Sequence, residues 1–389
     1  MYDLARLREE FPVLSRAIYL DSASTSQTPR RAVEAMSAYF YEYSANHGRG
    51  AHFLARRTTE EFEGAREALG KFLGVPAGQL VFTRNTTEAI NLVAHGTCWE
   101  PGDEVVTTSL EHHANLLPWM ALKGKGVIVK VIPHTNGVVD PADVATALSP
   151  RTRLLAVTHM TNVLGTVQPI PELTVVAHEA GVPILVDAAQ SIGHFPFEVE
   201  YIDFLALPGH KGLLGPQGTG ALYVADYRNL SISCHGGGIV EEVTLDGFTL
   251  LPPPARFEPG TPNIPGVIGL GAAIGLVEEL TVPAIHRHET MLATLLHRGL
   301  SGIEGVTVYS PEGSTVVSFN VGGMDPNECA HELDRRGKIC VRSGMHCAQP
   351  LASSLHPAGT VRASLGCYNT EEEVGATVEA VAGIAGERR

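Results

Sequence analysis

Lys211 stands in the segment PGHKGLLGPQGTGALYV (Pro208–Val224), directly after an apolar run and inside a glycine-rich turn. Such a turn lets backbone approach a ligand closely. An enclosed lysine has its ammonium form disfavoured, and the neutral amine is nucleophilic enough to form a Schiff base. A solvated loop lysine is the plainer alternative. A second apolar run ends in ILVDAAQSIG (Ile184–Gly193), with Asp187 at its close and Gln190 three residues on. A carboxylate at the carboxyl end of a sheet strand points into the crevice where open α/β sheets bind ligands, although a helix N-cap would use the same residue.

Three further segments carry usable groups. FTRNTTEAINLV (Phe82–Val93) offers the Thr86 and Thr87 hydroxyls beside free N–H groups at a helix start, a cradle for phosphate. Asn85 and Glu88 also have capping-box-like spacing, which would explain these polar residues without a ligand. LEHHANLLPW (Leu110–Trp119) places His112 and His113 after a strand, where an imidazole can stack on an aromatic cofactor and move protons. Adjacent histidines cannot both face one ion from regular structure and the H-E-x-x-H spacing is absent, so no metal is expected. CVRSGMHCAQP (Cys340–Pro350) sets Cys347 beside His346 and after Arg342 in a loop with no helical or strand period. Neighbouring cations there would favour the reactive form of its sulfur. Taken alone, it is an ordinary loop cysteine.

Positioning these groups requires strands with shared ends. Short apolar runs alternate with helical stretches from about residue 17 to 225: Ala17–Asp21, Leu80–Thr83, Glu104–Thr108, Val127–Ile132, Leu154–Thr158, Pro183–Asp187, Phe204–Leu207 and Ala221–Val224. That alternation predicts a largely parallel sheet wrapped by helices. Phe62, Ala65, Leu69 and Phe72 recur at helical spacing between Thr59 and Phe72. Beyond Pro254 the spacing predicts an apolar helix over Gly266–Leu280 and an amphipathic one over Ala284–Leu300. Strands are expected at Thr315–Val321, Lys338–Val341 and Thr360–Leu365. The division expected is a large domain at 15–282 and a smaller α+β domain made of 1–14 and 283–389, carrying the Cys347 loop.

Bulk properties narrow the partners. With 389 residues, 44% hydrophobic and 18% charged, the chain can bury more than one apolar nucleus. The 41 glycines and 25 prolines are spread along the whole chain and read as turn punctuation. A formal net charge of -14 repels polyanions, so neither nucleic acid nor an anionic membrane is an expected partner. The start, MYDLARLREEFPVL, has no apolar signal region, and no later stretch has bilayer length; a soluble, cytoplasmic protein is expected. The six cysteines include no C-x-x-C pair, and reduced thiols are the default.

Taken together, the segments YLDSASTSQTP, NHGRGAH, FTRNTTEAINLVA, EHHAN, TNVLGTVQPI, ILVDAAQ, GHKGLLGPQGTGALYV, FEPGTPN, RSGMHCA and VRASLGCYNTEEEV resemble, in order, the class V, fold-type I enzymes that use pyridoxal 5'-phosphate (PLP). The likeness is greatest to the SUF-type cysteine desulfurases and selenocysteine lyases, and it covers nearly the whole chain. It implies an α/β fold of type I, with a mainly parallel seven-stranded sheet in the large domain. It implies that Lys211 is the Schiff-base lysine and moves the Cα proton, that His112 stacks on the cofactor ring, that Asp187 pairs with the pyridinium nitrogen and that Gln190 contacts the phenolic oxygen. Thr86, Thr87 and His210 would hold the phosphate, joined by Thr261 from the second subunit of a homodimer. Asn162 and Arg362 would bind the carboxylate of L-cysteine, with Arg342 near the same loop.

The resemblance further implies that Cys347 takes the sulfur as a persulfide while L-alanine leaves. An acceptor protein then collects it for iron–sulfur cluster assembly or thiolation. Two positions depart from the family pattern. Pro208 replaces a Ser or Thr, removing a hydroxyl and an N–H from the phosphate contacts, and Met345 replaces a histidine common in SUF-type members. Competing readings on the same scaffold are a selenocysteine lyase, another class V aminotransferase-type enzyme and a non-catalytic sulfur-relay subunit.

Overall fold

The computed structural model describes residues 2–196 and 198–388. The first apolar run forms only a two-residue strand, Ile18–Tyr19 (β1). The next seven give Leu80–Thr83 (β2), Glu104–Thr108 (β3), Ile128–Ile132 (β4), Thr152–Thr158 (β5), Ile184–Asp187 (β6), Phe204–Pro208 (β7) and Gly220–Val224 (β8). These seven make one sheet in the order β2-β8-β7-β6-β5-β3-β4. β3 to β7 pair in parallel, while β8 is antiparallel to both β2 and β7. The result is a mixed, mainly parallel sheet.

Alternate strand residues enter two apolar clusters. Val106, Leu155, Val157 and Val186 join one, while Val105, Leu154, Ala156 and Leu185 join the other. Both faces are therefore covered, which explains why these strands read as unbroken aliphatic runs. Two reversals of direction leave β2 running the same way as β3 to β7. The carboxyl ends of six strands thus share one edge, the place where open α/β sheets bind ligands.

The remainder of the chain adds a hairpin, Val240–Val243 (β9) with Phe248–Leu250 (β10), and the helices Ile264–Leu280 and Val282–Ser301. An antiparallel sheet follows, made of Val306–Val308 (β11), Val316–Val321 (β12), Arg342–Gly344 (β14) and Thr360–Ser364 (β15) in the order β11-β12-β15-β14. Ile339–Cys340 (β13) pairs instead with β1, in parallel.

That pairing corrects the expectation that the run at 17–21 belongs to the large sheet. Leu20 is fully buried among Leu292, Phe319 and Val361, so hydrophobic burial draws the segment to the smaller sheet. The N-terminal helix, Leu4–Arg8, is short and owes its place to packing. Leu7, Phe11 and Leu14 are buried against Leu276, Val277, Ile285 and Tyr368. Among the described residues no single helix is long and apolar enough to cross a membrane.

Candidate active site

A cavity of about 280 Å3 opens at the shared edge of the large sheet. Ten of the twelve candidate residues line it: Thr86, Thr87, His112, Asn162, Asp187, Gln190, His210, Lys211, Arg342 and Arg362. Each of the first eight lies at or just beyond the carboxyl end of β2, β3, β5, β6 or β7, and the two arginines come from β14 and β15. Cys347 and Thr261 are not in the lining; both are exposed in the single chain.

Lys211 lies in the turn after β7, and Asp187 ends β6, the neighbouring strand. Burial pulls the Lys211 ammonium down to about 8, against the attraction of Asp187, with Arg362 and Arg342 adding repulsion. A substantial fraction of the amine is therefore neutral near physiological pH. Asp187 is 2% exposed, accepts from the Ala189 N–H at 2.9 Å and is pushed up to about 6 by burial. Behind it, the buried carboxyl of Glu111 meets Thr108 Oγ1 at 2.6 Å, Asn115 Nδ2 at 2.6 Å and the Thr158 N–H at 3.0 Å. These bonds join the ends of β3 and β5.

At the start of the helix Thr86–Gly96, Asn85 Oδ1 caps the Glu88 N–H at 2.9 Å. Capping and ligand binding thus use different groups: the cap occupies the Glu88 amide, while Thr86 and Thr87 line the cavity at the positive end of the helix. His210 lines the same cavity with its Nδ1 buried and unpartnered. Pro208 lines the same wall and offers no N–H. His112 Nδ1 accepts from the Ala114 N–H at 3.0 Å, which puts the ring proton of the neutral imidazole on Nε2. Burial and the nearby Lys211 push His112 down to about 3, so it stays uncharged.

Arg362, 1% exposed, is held by the Asn162 carbonyl at 3.0 Å, Asp21 Oδ1 at 3.1 Å and Ser24 Oγ at 2.8 Å. Its Nε and the Oδ1 of Asn162 are buried without partners, and polar atoms so placed suit a polar ligand. Gln190 Nε2 donates to the Ala23 carbonyl at 2.9 Å.

The Cys347 loop is bent and over-determined. His346 and Cys347 both adopt left-handed backbone, with φ of 51° and 55°, a conformation that non-glycine residues hold only when neighbours enforce it. Asn162 Nδ2 donates to the His346 carbonyl and the His113 N–H to the Cys347 carbonyl, both at 2.7 Å. The His346 ring sits 2.9 Å from Thr360 Oγ1. Burial pushes His346 down to about 3, so it is neutral and does not serve as a cation beside the thiol; Arg342 Nη2, 3.7 Å from Cys347 Sγ, is the cationic neighbour. Asp21, Ser24 and Glu111 are parts of the site that the residue pattern did not single out. Each lies within a segment quoted above, but no spacing rule distinguishes it from its neighbours.

The chain as a whole is similar to known proteins. The family model described as aminotransferase class-V matches residues 18–376. A probable cysteine desulfurase of Methanothermobacter thermautotrophicus is 45% identical, with 97% of this chain and 98% of that protein covered. The apo structure of cysteine desulfurase from Thermococcus onnurineus superimposes with a TM-score of 0.96 at 39% identity, covering 100% of this chain and 99% of the other. A variant of C-DES with glycine covalently linked to its PLP cofactor gives a TM-score of 0.86 at 25% identity, covering 98% and 99%.

Proposed function

The chain belongs to the aminotransferase class-V family and is a PLP-dependent cysteine desulfurase; we propose that Lys211, Asp187 and Cys347 divide its reaction among them. The observation that carries this reading is one cavity lined by the Lys211 amine and the buried Asp187 carboxyl on neighbouring strand ends, with a pinned cysteine loop beside it. The donor set fits the cofactor: an amine of lowered basicity for its aldehyde, a carboxylate for its ring nitrogen, and a helix start with the unpartnered His210 Nδ1 for its phosphate.

When bound, PLP supplies an aldehyde that amines capture and a ring that takes up the electron pair of a broken Cα–H bond. Lys211 Nζ would hold the cofactor through that aldehyde, give up its place to the amine of L-cysteine and serve as the base for the Cα proton. Asp187 holds a proton at the ring nitrogen. Arg362 and Asn162 receive the substrate carboxylate, with Arg342 beside them. Cys347 Sγ then attacks the substrate sulfur: an S–S bond forms, the C–S bond breaks with its electron pair passing to the carbon side, and alanine leaves after protonation. The persulfide sulfur passes on to an acceptor protein in iron–sulfur cluster assembly or thiolation.

Residues 15–282 form the cofactor domain in this reading, and 1–14 with 283–389 form the smaller one. A cluster built mostly from residues beyond 283, among them Leu292, Phe319 and Val361, gives the smaller domain its own core, to which Leu20 of the N-terminal segment also contributes. Thr261, exposed and outside the cavity of its own chain, is assigned to the phosphate of a second copy, which makes the enzyme a homodimer in the cytoplasm. The experiment is to supply the holoenzyme with L-cysteine and L-selenocysteine side by side. Alanine from L-cysteine is expected. Alanine from L-selenocysteine alone would move the reading to a selenocysteine lyase, and a protein left colourless by added PLP would move it to a non-catalytic relay subunit.

A further inference from the structure

Arg342 on β14 and Arg362 on β15 are direct partners in the antiparallel register. Two guanidinium groups so placed repel each other unless something of opposite polarity lies between them. Ser24 fills that position. Its Oγ accepts from Arg342 Nη1 at 2.9 Å and from Arg362 Nη2 at 2.8 Å, and it donates to Asp21 Oδ1 at 2.7 Å. All three hydrogen-bonding capacities of the hydroxyl are used. Asp21 also pairs with Arg362 directly, at 3.1 Å.

The same arrangement reaches the sulfur acceptor. With Nη1 fixed on Ser24, Arg342 directs Nη2 toward Cys347 Sγ at 3.7 Å. Ser24 itself lines the cavity, half-buried. One small hydroxyl thus sets the spacing of the two cations and keeps one of them against the cysteine. Hydrogen bonds from charged donors to a fixed acceptor are stronger and more directional than neutral ones, so the spacing is enforced.

We propose that Ser24 is a positioning residue that spaces Arg342 and Arg362 as a receptor for the substrate carboxylate and ties that receptor to the Cys347 loop. The proposal rests on the desulfurase reading and adds to it a link between the two ends of the substrate. An alanine at position 24 leaves Asp21 bound to Arg362 alone and releases Arg342 from its anchor. A threonine keeps the hydroxyl.

The test uses L-alanine, which carries the carboxylate but no sulfur, and follows its binding to the holoenzyme by the change in visible absorbance. Ser24→Ala is expected to weaken L-alanine binding and raise KM for L-cysteine by about tenfold, with a smaller fall in kcat. Ser24→Thr is expected to restore both. The link to Cys347 is read separately, as the rate at which iodoacetamide labels the Cys347 peptide. In wild type, saturating L-alanine is expected to slow labelling about fivefold, and Ser24→Ala is expected to lose this protection. Wild-type L-alanine affinity and protection in Ser24→Ala, or equal losses in Ser24→Ala and Ser24→Thr, would overturn the proposal. A wild-type enzyme that makes no alanine from L-cysteine would instead overturn the functional reading beneath it.

Discussion

The main-chain N–H of His113 donates to the carbonyl of Cys347 at 2.7 Å, fastening the loop of the proposed sulfur acceptor to the segment that carries His112. The cofactor wall and the cysteine loop are thereby one structure. Since the short hydrogen bonds that hold the loop go to backbone carbonyls and the thiol has only the longer 3.7 Å contact with Arg342, replacing the sulfur should leave the site intact. Cys347→Ser is expected to keep the yellow colour of the holoenzyme and its binding of L-alanine while losing sulfide release from L-cysteine under reductant by at least about 100-fold. Undiminished sulfide release would remove Cys347 from its role.

Lys211 makes a pH prediction. Burial lowers it from 10.5 to about 8, so the neutral amine fraction grows about tenfold per pH unit below that value and saturates above it. Capture of PLP by cofactor-free protein should therefore accelerate from pH 6 to about 8 and then level off. A rate still climbing steeply at pH 10 would mean an ordinary, solvated lysine.

Glu111 is fully enclosed and pushed up to about 8 by burial, although three hydrogen bonds pull the other way. Its folded-state value lies above its unfolded one of 4.5, so the folded chain holds this proton more tightly. The stability it contributes is complete below pH 4.5 and is lost as pH rises through about 8. Glu111→Gln should cost about 1–3 kcal/mol at pH 5, because an amide cannot satisfy all three neighbours. Its deficit relative to wild type should shrink by pH 8. Melting curves of the cofactor-free proteins at the two pH values check this; parallel losses at both would contradict it.

Most of the site was legible because its chemistry follows strand ends. Lys211, Asp187, His112 and Thr86 each come directly after an aliphatic run, and a parallel sheet gathers such positions at one edge whatever the loops do. The paired arginines were legible as residue types but not as neighbours. Arg342 lies on a three-residue strand with no periodicity to read, and its register with Arg362 is set by tertiary packing. The β1–β13 pairing joins two-residue strands 321 positions apart in register, Ile18 with Ile339, and the burial of Leu20 and Ile339 in one apolar cluster explains it. His346 looked like a cation beside the thiol; its enclosure against Thr360 makes it a neutral brace, a distinction that depends on burial and not on residue order.

The most direct measurement is borohydride reduction of the holoenzyme followed by peptide mass mapping. A pyridoxyl group is expected on the peptide containing Lys211, with none elsewhere and none recovered from Lys211→Ala. A label on a different lysine, or a Lys211→Ala protein that is still yellow and still labelled, would contradict the assignment on which the rest of the chemistry depends.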